Sequence, residues 1–120
     1  MNEQAQQELK KIFNDRFSQS ESTRANYARG EDTYDPVLSK AVVFPESNEE
    51  VSKALKLCND HKIPVVPFGT GTSLEGNVLG NENGITISLE KMNKILNVNV
   101  SDFDCRVQAN VTRKQLNEYL

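Results

Sequence analysis

The chain has 120 residues, of which 37% are hydrophobic and 26% charged, a composition typical of one soluble domain of ordinary size. A net charge of -3 and a pI near 5.2 argue against nucleic-acid binding, which needs a clustered basic face. The sequence has no run of about 18 apolar residues that could span a membrane. Its polar start, MNEQAQQELKK, lacks the apolar stretch of a secretory signal. These features predict a cytoplasmic protein; a longer parent protein could also lie peripherally on the inner face of a membrane.

The first 40 residues predict a helix followed by an irregular arm. The apolar residues on one face of a helix over residues 3–17 are Ala5, Leu9, Ile12, Phe13 and Phe17. Residues 18–40 are polar, with Pro36 as a breaker, and we assign no chemistry to Tyr34 and Asp35. Because an amphipathic helix must dock on a larger surface, residues 1–40 are predicted to be an ordered extension and not an independent unit.

A strand, a helix and a second strand follow. Residues 41–44 form a continuous apolar run, which suits a strand covered on both faces. Ser47-Asn48-Glu49-Glu50 has the Ser-x-x-Glu pattern of a capping box and opens the helix. Residues 63–67, IPVVP, form the second run. This order predicts a βαβ unit with parallel strands and a right-handed crossover.

The pattern changes after residue 84. Residues 85–89 alternate between apolar and polar side chains, which predicts a strand with one buried face. Residues 96–100 and 105–109 alternate in the same way around the turn at residues 101–104, which predicts an antiparallel hairpin.

The last residues predict another helix. Thr112-Arg113-Lys114-Gln115 is a second capping box, and Leu116 and Leu120 share one face of the helix that follows. No glycine, proline or polar tail ends this helix, as a stop signal usually would. We therefore expect the chain to be the N-terminal part of a longer protein.

The cysteines and the histidine predict no metal site. Cys58 and Cys105 match no metal or redox spacing, and their apolar neighbours predict that both are buried free thiols. His61 has no second ligand at zinc spacing, and it follows a helix, where a histidine is usually solvated or hydrogen-bonded to the last carbonyls. No pair of titratable groups predicts an acid–base site, so no catalytic residue is expected in this chain.

The strongest candidate for a binding site is the loop at residues 67–77, PFGTGTSLEGN. Glycine permits left-handed backbone angles, and successive N–H groups that turn toward one point form a nest for phosphate oxygens. The hydroxyls of Thr70, Thr72 and Ser73 add donors, and the missing side chains at Gly69 and Gly71 let a diphosphate come close. The residues alone favour this interpretation no more than a glycine-rich turn without a ligand.

Two familiar phosphate loops fit poorly. A Walker A loop needs a lysine after its second glycine, but Asn77 follows Gly76, so ATP hydrolysis is not expected. A Rossmann fingerprint needs a third glycine that opens a helix. Leu74 stands at that position, and the stretch EGNVLGNENG contains too many helix breakers. Glu90 lies at a plausible distance for a ribose-binding acid, which keeps a dinucleotide domain as an alternative.

The segment AVVFPESNEEVSKALKLCNDHKIPVVPFGTGTSLEGN resembles the opening of the FAD-binding domain of vanillyl-alcohol-oxidase type flavoproteins, especially their D-lactate dehydrogenase and glycolate oxidase branch. The resemblance runs from about Tyr27 to the C-terminus. It is specific because the strand, the capped helix, the IPVVP strand and the long glycine loop occur in order. It implies an α+β fold, with a βαβ unit and a hairpin over residues 41–120 as the first part of such a domain, preceded by an N-terminal helix.

The resemblance also implies a cofactor site. In that family the glycine loop wraps the FAD diphosphate with its backbone amides. The residues that match by position are Phe68, Gly69, Thr70, Gly71, Thr72, Ser73, Gly76 and Asn77. Thr72 and Ser73 are implied to be the hydroxyl donors, and Gly76 and Asn77 to lie near the flavin end.

The resemblance further implies a parent enzyme that oxidises a 2-hydroxy acid such as D-lactate or glycolate and passes electrons to an acceptor. The substrate would bind through a cap domain outside this sequence. The alternative is a nucleotide- or phosphate-binding regulatory module without catalysis.

Two features depart from the family. Its members usually have a glycine before Val-Thr at the end of the hairpin, whereas this chain has Gln108-Ala109-Asn110-Val111. Asn110 tolerates left-handed angles, so the turn is expected to persist. Some members attach FAD covalently through a histidine. His61 lies outside the loop, so no such link is predicted.

Overall fold

The computed structural model describes residues 2–28, 30–31 and 34–120; residues 1, 29, 32 and 33, three of them in the predicted arm, lie outside this description. The helices of the described residues are α1 (Glu3–Phe13), α2 (Glu21–Asn26), α3 (Asn48–Asp60) and α4 (Arg113–Tyr119). The strands are β1 (Phe17–Ser18), β2 (Ala41–Val43), β3 (Val65–Phe68), β4 (Ile85–Ser88), β5 (Ile95–Asn99) and β6 (Asp104–Val107).

The described strands form two sheets. The larger sheet has the order β1-β2-β4-β3. In it, β2 and β3 both run parallel to β4, whereas β1 pairs antiparallel with β2. The two strands of the predicted βαβ unit are therefore parallel, with β4 inserted between them. β5 and β6 form the predicted antiparallel hairpin. The α+β fold class is confirmed.

The central strand, β4, is buried on both faces. Ile85, Thr86, Ile87 and Ser88 are all buried, so the prediction of one solvent-facing side was wrong. The physical reason is that Ile85 and Ile87 pack in the core with residues of α1 and α3, whereas Thr86 and Ser88 carry small hydroxyls that can be buried when they are hydrogen-bonded. The Thr86 hydroxyl hydrogen-bonds with the Ser39 hydroxyl at 2.8 Å, which satisfies both buried groups.

The N-terminal helix is shorter than predicted. α1 ends at Phe13 because Asn14 takes a positive φ of 51°, and Phe17 leaves the helical face to pair with Val43 in β1. Ala5, Leu9 and Phe13 are fully buried in the core. The segment predicted to be irregular also contains α2. That residues 1–40 form a region separate from residues 41–120 stays a prediction.

Both predicted capping boxes start helices. The Ser47 hydroxyl accepts a hydrogen bond from the Glu50 N–H at 3.3 Å. The Thr112 hydroxyl accepts one from the Gln115 N–H at 3.1 Å. In the first box the Glu50 carboxylate does not reach back to Ser47; it accepts from the Glu46 N–H at 2.8 Å and from Arg16. The sequence therefore locates the start of each helix correctly.

The two cysteines differ in burial. Cys58 is buried, as predicted, but Cys105 is exposed. The prediction for Cys105 was wrong because β6 belongs to a separate two-stranded sheet, in which residues 104–106 are all exposed. Burial raises the pKa of the Cys58 thiol to about 11, which makes this cysteine a structural residue.

Candidate cofactor site at the carboxyl edge of the parallel sheet

The glycine loop leaves the sheet where β3 ends. Because β2, β3 and β4 are parallel, their carboxyl ends meet at one edge. Open α/β sheets bind ligands outside that edge. The Phe68 carbonyl at the end of β3 accepts a hydrogen bond from the Leu89 N–H at 2.9 Å, which ties the base of the loop to β4. The loop therefore starts from a fixed point.

Two glycines of the loop have left-handed backbone angles. Gly71 has a φ of +75° and Gly76 a φ of +78°, conformations that other residues adopt at a cost. A Cβ at Gly71 would lie 2.5 Å from the Phe68 ring, and a Cβ at Gly76 would lie 3.0 Å from the Tyr34 ring. The sequence assigned no role to Tyr34, which lies against this turn of the loop.

The first part of the loop, residues 69–74, presents a run of backbone hydrogen-bond donors. Among the described residues, no group accepts a hydrogen bond from the backbone N–H groups of residues 69–74. The next N–H, of Glu75, donates to the Ser73 hydroxyl at 3.4 Å. Successive N–H groups in a glycine-rich turn form a concave site for an anion, and these are available to such a ligand.

Space is left at the start of the run. A Cβ at Gly69 would lie 3.5 Å from the Asn110 Oδ1, which, apart from the adjoining residues, is the one atom of the described chain within 4 Å of it. This is an ordinary contact distance. Asn110 itself does not take the left-handed angle considered in the sequence analysis. The turn persists because the Val111 N–H donates to the Gln108 carbonyl at 3.1 Å.

The three hydroxyls of the loop are partly engaged with one another. Thr70 Oγ1 and Thr72 Oγ1 are 3.2 Å apart. The Ser73 hydroxyl donates to Asn77 Oδ1 at 3.1 Å. Of the two predicted hydroxyl donors, Thr72 can therefore donate outward when Thr70 donates to it, whereas Ser73 already uses its hydrogen within the loop.

Tyr27 is a residue of this edge that the sequence pattern does not single out, because it is one aromatic in a polar arm. Its ring packs edge-to-face on Phe68, with centroids 5.0 Å apart, and on Phe44, with centroids 5.4 Å apart. The Glu90 and Ser88 side chains lie near its hydroxyl. Burial, and then the Glu90 carboxylate, raise the pKa of Tyr27 to about 12.

The chain between β3 and β4 contains no helix. Walker A and Rossmann loops both lead directly into one, so the geometry disfavours those two alternatives, including the dinucleotide role of Glu90. Among the described residues there is also no group of three or more His, Cys, Asp or Glu side chains that could hold a metal ion.

Two apolar grooves lie elsewhere. One of about 680 Å³ has α3 on one side and Leu89, Met92 and Ala109 on the other. Another, of about 390 Å³, surrounds Phe103 and the tip of the hairpin. Both are apolar, and neither offers a run of free backbone donors. The carboxyl edge is therefore the better candidate for a phosphate ligand.

In the described part of the chain, no helix is long and apolar enough to cross a membrane.

Two curated relatives resemble the chain closely. A probable mitochondrial D-lactate dehydrogenase of Danio rerio is 42% identical over 99 residues, which cover 82% of this chain and 20% of that protein. A mitochondrial D-lactate dehydrogenase (cytochrome) of Arabidopsis thaliana is 36% identical over 115 residues, which cover 94% of this chain and 20% of that protein. The chain thus spans about a fifth of the length of the curated relatives it matches.

The names of these relatives correct one prediction. Both are called mitochondrial. This contradicts the predicted cytoplasmic location and the related prediction of a parent protein on the inner face of a membrane. The cytoplasmic prediction was based on the lack of a secretory signal and of a membrane span. Mitochondrial import depends on a different kind of segment, which is amphipathic and rich in arginine and serine, so neither feature distinguishes a mitochondrial protein from a cytoplasmic one.

The fold and the family agree. A solved structure of an alkyldihydroxyacetonephosphate synthase superposes on all of this chain with a TM-score of 0.91, at 22% identity and over 27% of its own length; this likeness concerns the fold alone. A family model described as FAD binding domain matches residues 39–120, which confirms the resemblance seen in the sequence and FAD as the cofactor. The chain belongs to the FAD-binding domain family.

Proposed function

We propose that this chain is the first part of the FAD-binding domain of a flavin-dependent 2-hydroxy-acid dehydrogenase or oxidase, acting on D-lactate or glycolate. In this proposal the loop at residues 68–77 binds the FAD diphosphate. The observation that carries it is the run of N–H groups at residues 69–74, which have no acceptor among the described residues and lie at the carboxyl edge of a parallel sheet. The names of the two D-lactate dehydrogenases support the choice of substrate class.

The residues of the loop fit a diphosphate. Residues 67–77 contain no lysine or arginine, so an anion would be held by the amide dipoles of the nest, as in other glycine-rich phosphate sites. The open space at Gly69 admits a phosphate close to the backbone, and the left-handed Gly71 turns the chain around it. Thr72 would add a hydroxyl. Gly76 and Asn77 would lie toward the flavin.

The redox chemistry would come from the bound FAD, which can accept a hydride from the α-carbon of a hydroxy acid. The part of this chain is to hold and orient the cofactor. We assign it no catalytic residue. The substrate and an electron acceptor would bind to parts of the parent protein outside these residues.

The test is Gly69→Ala in the full-length protein that carries these residues. The new methyl group meets only an ordinary contact within the protein but occupies the space proposed for the diphosphate. We expect the Kd for FAD, measured by flavin fluorescence, to rise at least about tenfold, equivalent to about 1.4 kcal/mol. The unfolding midpoint of the FAD-free protein should change little.

Leu74→Ala is the matched control. This side chain is in the same loop and 68% exposed, and its backbone N–H is retained, so FAD binding should stay within about twofold of wild type, about 0.4 kcal/mol. Wild-type FAD affinity in a correctly folded Gly69→Ala protein would contradict the proposal. Binding of inorganic phosphate or ADP by the chain, together with no FAD binding by the full-length protein, would instead favour the regulatory module.

A further inference from the structure

The arm before β2 contacts the glycine loop at several separate points. From these contacts we propose that Tyr27, Ala28, Gly30 and Glu31, which we call the arm clamp, position the loop backbone for FAD. The inference rests on the proposed function of the loop. The arm clamp precedes residues 39–120, the segment that the FAD-binding domain family matches. These are positioning residues, because they act through the loop and not on the cofactor.

The first contact is aromatic. The Tyr27 ring packs against the Phe68 ring at a centroid distance of 5.0 Å and an interplanar angle of 79°. The Phe68 ring in turn lies directly against Gly71, where it occupies the space that a side chain would need. The Tyr27 ring also packs on Phe44, the residue after β2, with centroids 5.4 Å apart, so the position of Phe68 beside the left-handed Gly71 is supported from the sheet.

The second contact is between backbones. The Glu31 N–H donates to the Ser73 carbonyl at 3.0 Å. A Cβ at Gly30 would lie 2.7 Å from the Ser73 carbonyl oxygen and 3.0 Å from the Gly71 carbonyl oxygen. Both carbonyls of the loop therefore point toward the arm.

This orientation determines where the next amides point. In a planar trans peptide, the carbonyl of one residue and the N–H of the next point in opposite directions. With the Gly71 and Ser73 carbonyls turned toward the arm, the N–H groups of Thr72 and Leu74 point away from it. These two donors belong to the run that lacks an acceptor among the described residues. The arm clamp thus presents alternate amides of the loop to one side.

The third contact fixes the far end of the loop. The Gly80 N–H donates to the Ala28 carbonyl at 3.2 Å, and the Asn81 N–H donates to the Ser39 hydroxyl at 3.0 Å. The loop is thereby attached to the arm both at its glycine-rich turn and shortly before β4. These contacts are not required to connect α2 to β2, so they indicate that the arm also positions the loop.

The experiment compares three variants in the full-length protein. In Gly30→Ala the new methyl group would press on the two loop carbonyls and on the Val78 side chain, which lies 2.9 Å from the position of that Cβ. Tyr27→Leu removes the ring contacts, whereas Tyr27→Phe keeps them and removes only the hydroxyl. We expect Gly30→Ala and Tyr27→Leu to raise the Kd for FAD about tenfold. For Tyr27→Phe the Kd for FAD should stay within about threefold of wild type.

A second readout does not depend on FAD. Amide NMR shifts of Thr72 and Leu74 in the FAD-free protein should move in Gly30→Ala and Tyr27→Leu. They should not move in Ser22→Ala, a control on the exposed face of α2. The unfolding midpoint is measured for each variant, because a merely structural arm would change that midpoint alone.

The outcomes separate the two proposals. The arm clamp is overturned if Gly30→Ala and Tyr27→Leu lower the unfolding midpoint but leave the Kd for FAD and both amide shifts unchanged. If Gly69→Ala weakens FAD binding in that case, the proposed function of the loop still holds. If Gly69→Ala has no effect either, the loop is not the diphosphate site. Should Tyr27→Leu fail to fold, Gly30→Ala decides by the same readouts.

Discussion

Strand β4 of the larger sheet and the strands of the C-terminal hairpin have similar alternating sequences but opposite environments. In the sheet even hydroxyl side chains are buried, with Thr86 and Ser88 at 0% exposure. On the hairpin, by contrast, large apolar side chains are exposed, with Leu96 at 55% and Phe103 at 97%. Alternation therefore identifies a strand, but the neighbours of that strand determine which of its faces are buried. Ile85 and Ile87 of β4 lie in one apolar cluster with residues of α1 and α3, whereas that cluster includes no described residue of the hairpin.

The first way to test this contrast uses the two cysteines. Cys58 belongs to the core beside the parallel sheet, and its pKa is raised to about 11 by burial. Only the thiolate reacts with alkylating reagents, and at pH 8 a thiol of that pKa is ionised in about one molecule in 10³. Cys105 is exposed on β6. We expect native Cys105 to be labelled by iodoacetamide at least about 10²-fold faster than Cys58, as measured by mass spectrometry over time.

Labelling in denaturant is the control for this experiment, since both thiols should then react at similar rates. Single Cys58→Ser and Cys105→Ser variants assign each rate to its residue. Equal labelling of both cysteines in the native protein would mean that the core beside α3 opens readily, and the contrast between the two regions would be lost.

The second test compares two truncations of similar size. Ile85 is fully buried at the centre of the sheet, so Ile85→Ala should lower the free energy of unfolding by about 2–5 kcal/mol, through lost burial and the cavity left behind. Leu96→Ala on the half-exposed hairpin should change it by no more than about 0.5 kcal/mol. Urea unfolding followed by circular dichroism measures both. Similar costs for the two variants would refute the difference in burial.

Much of the fold could be predicted from local chemistry. The capping hydroxyls of Ser47 and Thr112 located two helix starts, because a cap is a contact between residues three apart. The βαβ order and the hairpin were also predictable from the patterns of apolar residues. What the sequence did not predict depends on long-range pairing. The insertion of β4 between β2 and β3, and the solvent exposure of Cys105, follow from the strand order.

The candidate site also has one part that the sequence predicts and one part that it does not. The glycine loop is visible in the sequence, since left-handed turns require glycine at positions such as Gly71 and Gly76. The arm residues that touch it are not visible. Tyr27 lies 41 positions before Phe68 along the chain (68 − 27), and the contacts of Gly30 and Glu31 involve loop carbonyls, which are common to every residue type. A contact with a backbone atom leaves no mark on the sequence of the partner.

The third and smallest effect concerns how the N-terminal region is joined to the sheet. Arg16 binds the Glu50 carboxylate with two nitrogens at 2.7 and 2.6 Å and also donates to the Phe44 carbonyl at 3.0 Å. The Arg16 guanidinium holds the pKa of Glu50 below its ordinary value of 4.5. A carboxylate whose pKa is lowered by folding stabilises the protein above its unfolded pKa, and that stability is lost as pH falls through the folded pKa.

Glu50→Gln should therefore lower the free energy of unfolding by about 1–2 kcal/mol at pH 7, near the low end of the range for hydrogen bonds to charged groups, because both side chains are about one fifth exposed. The difference from wild type should shrink as the pH falls below 4.5 and vanish once the pH passes the lowered folded pKa, where the wild-type carboxylate is protonated as well. Glu49→Gln is the matched control: it removes a carboxylate from the same first turn of α3, and with it the same interaction with the helix dipole, but not the contact with Arg16. If the two variants lose equal stability at every pH, the Arg16–Glu50 pair contributes nothing beyond that dipole, and the N-terminal region must be held to the sheet by apolar packing and by the pairing of β1 with β2.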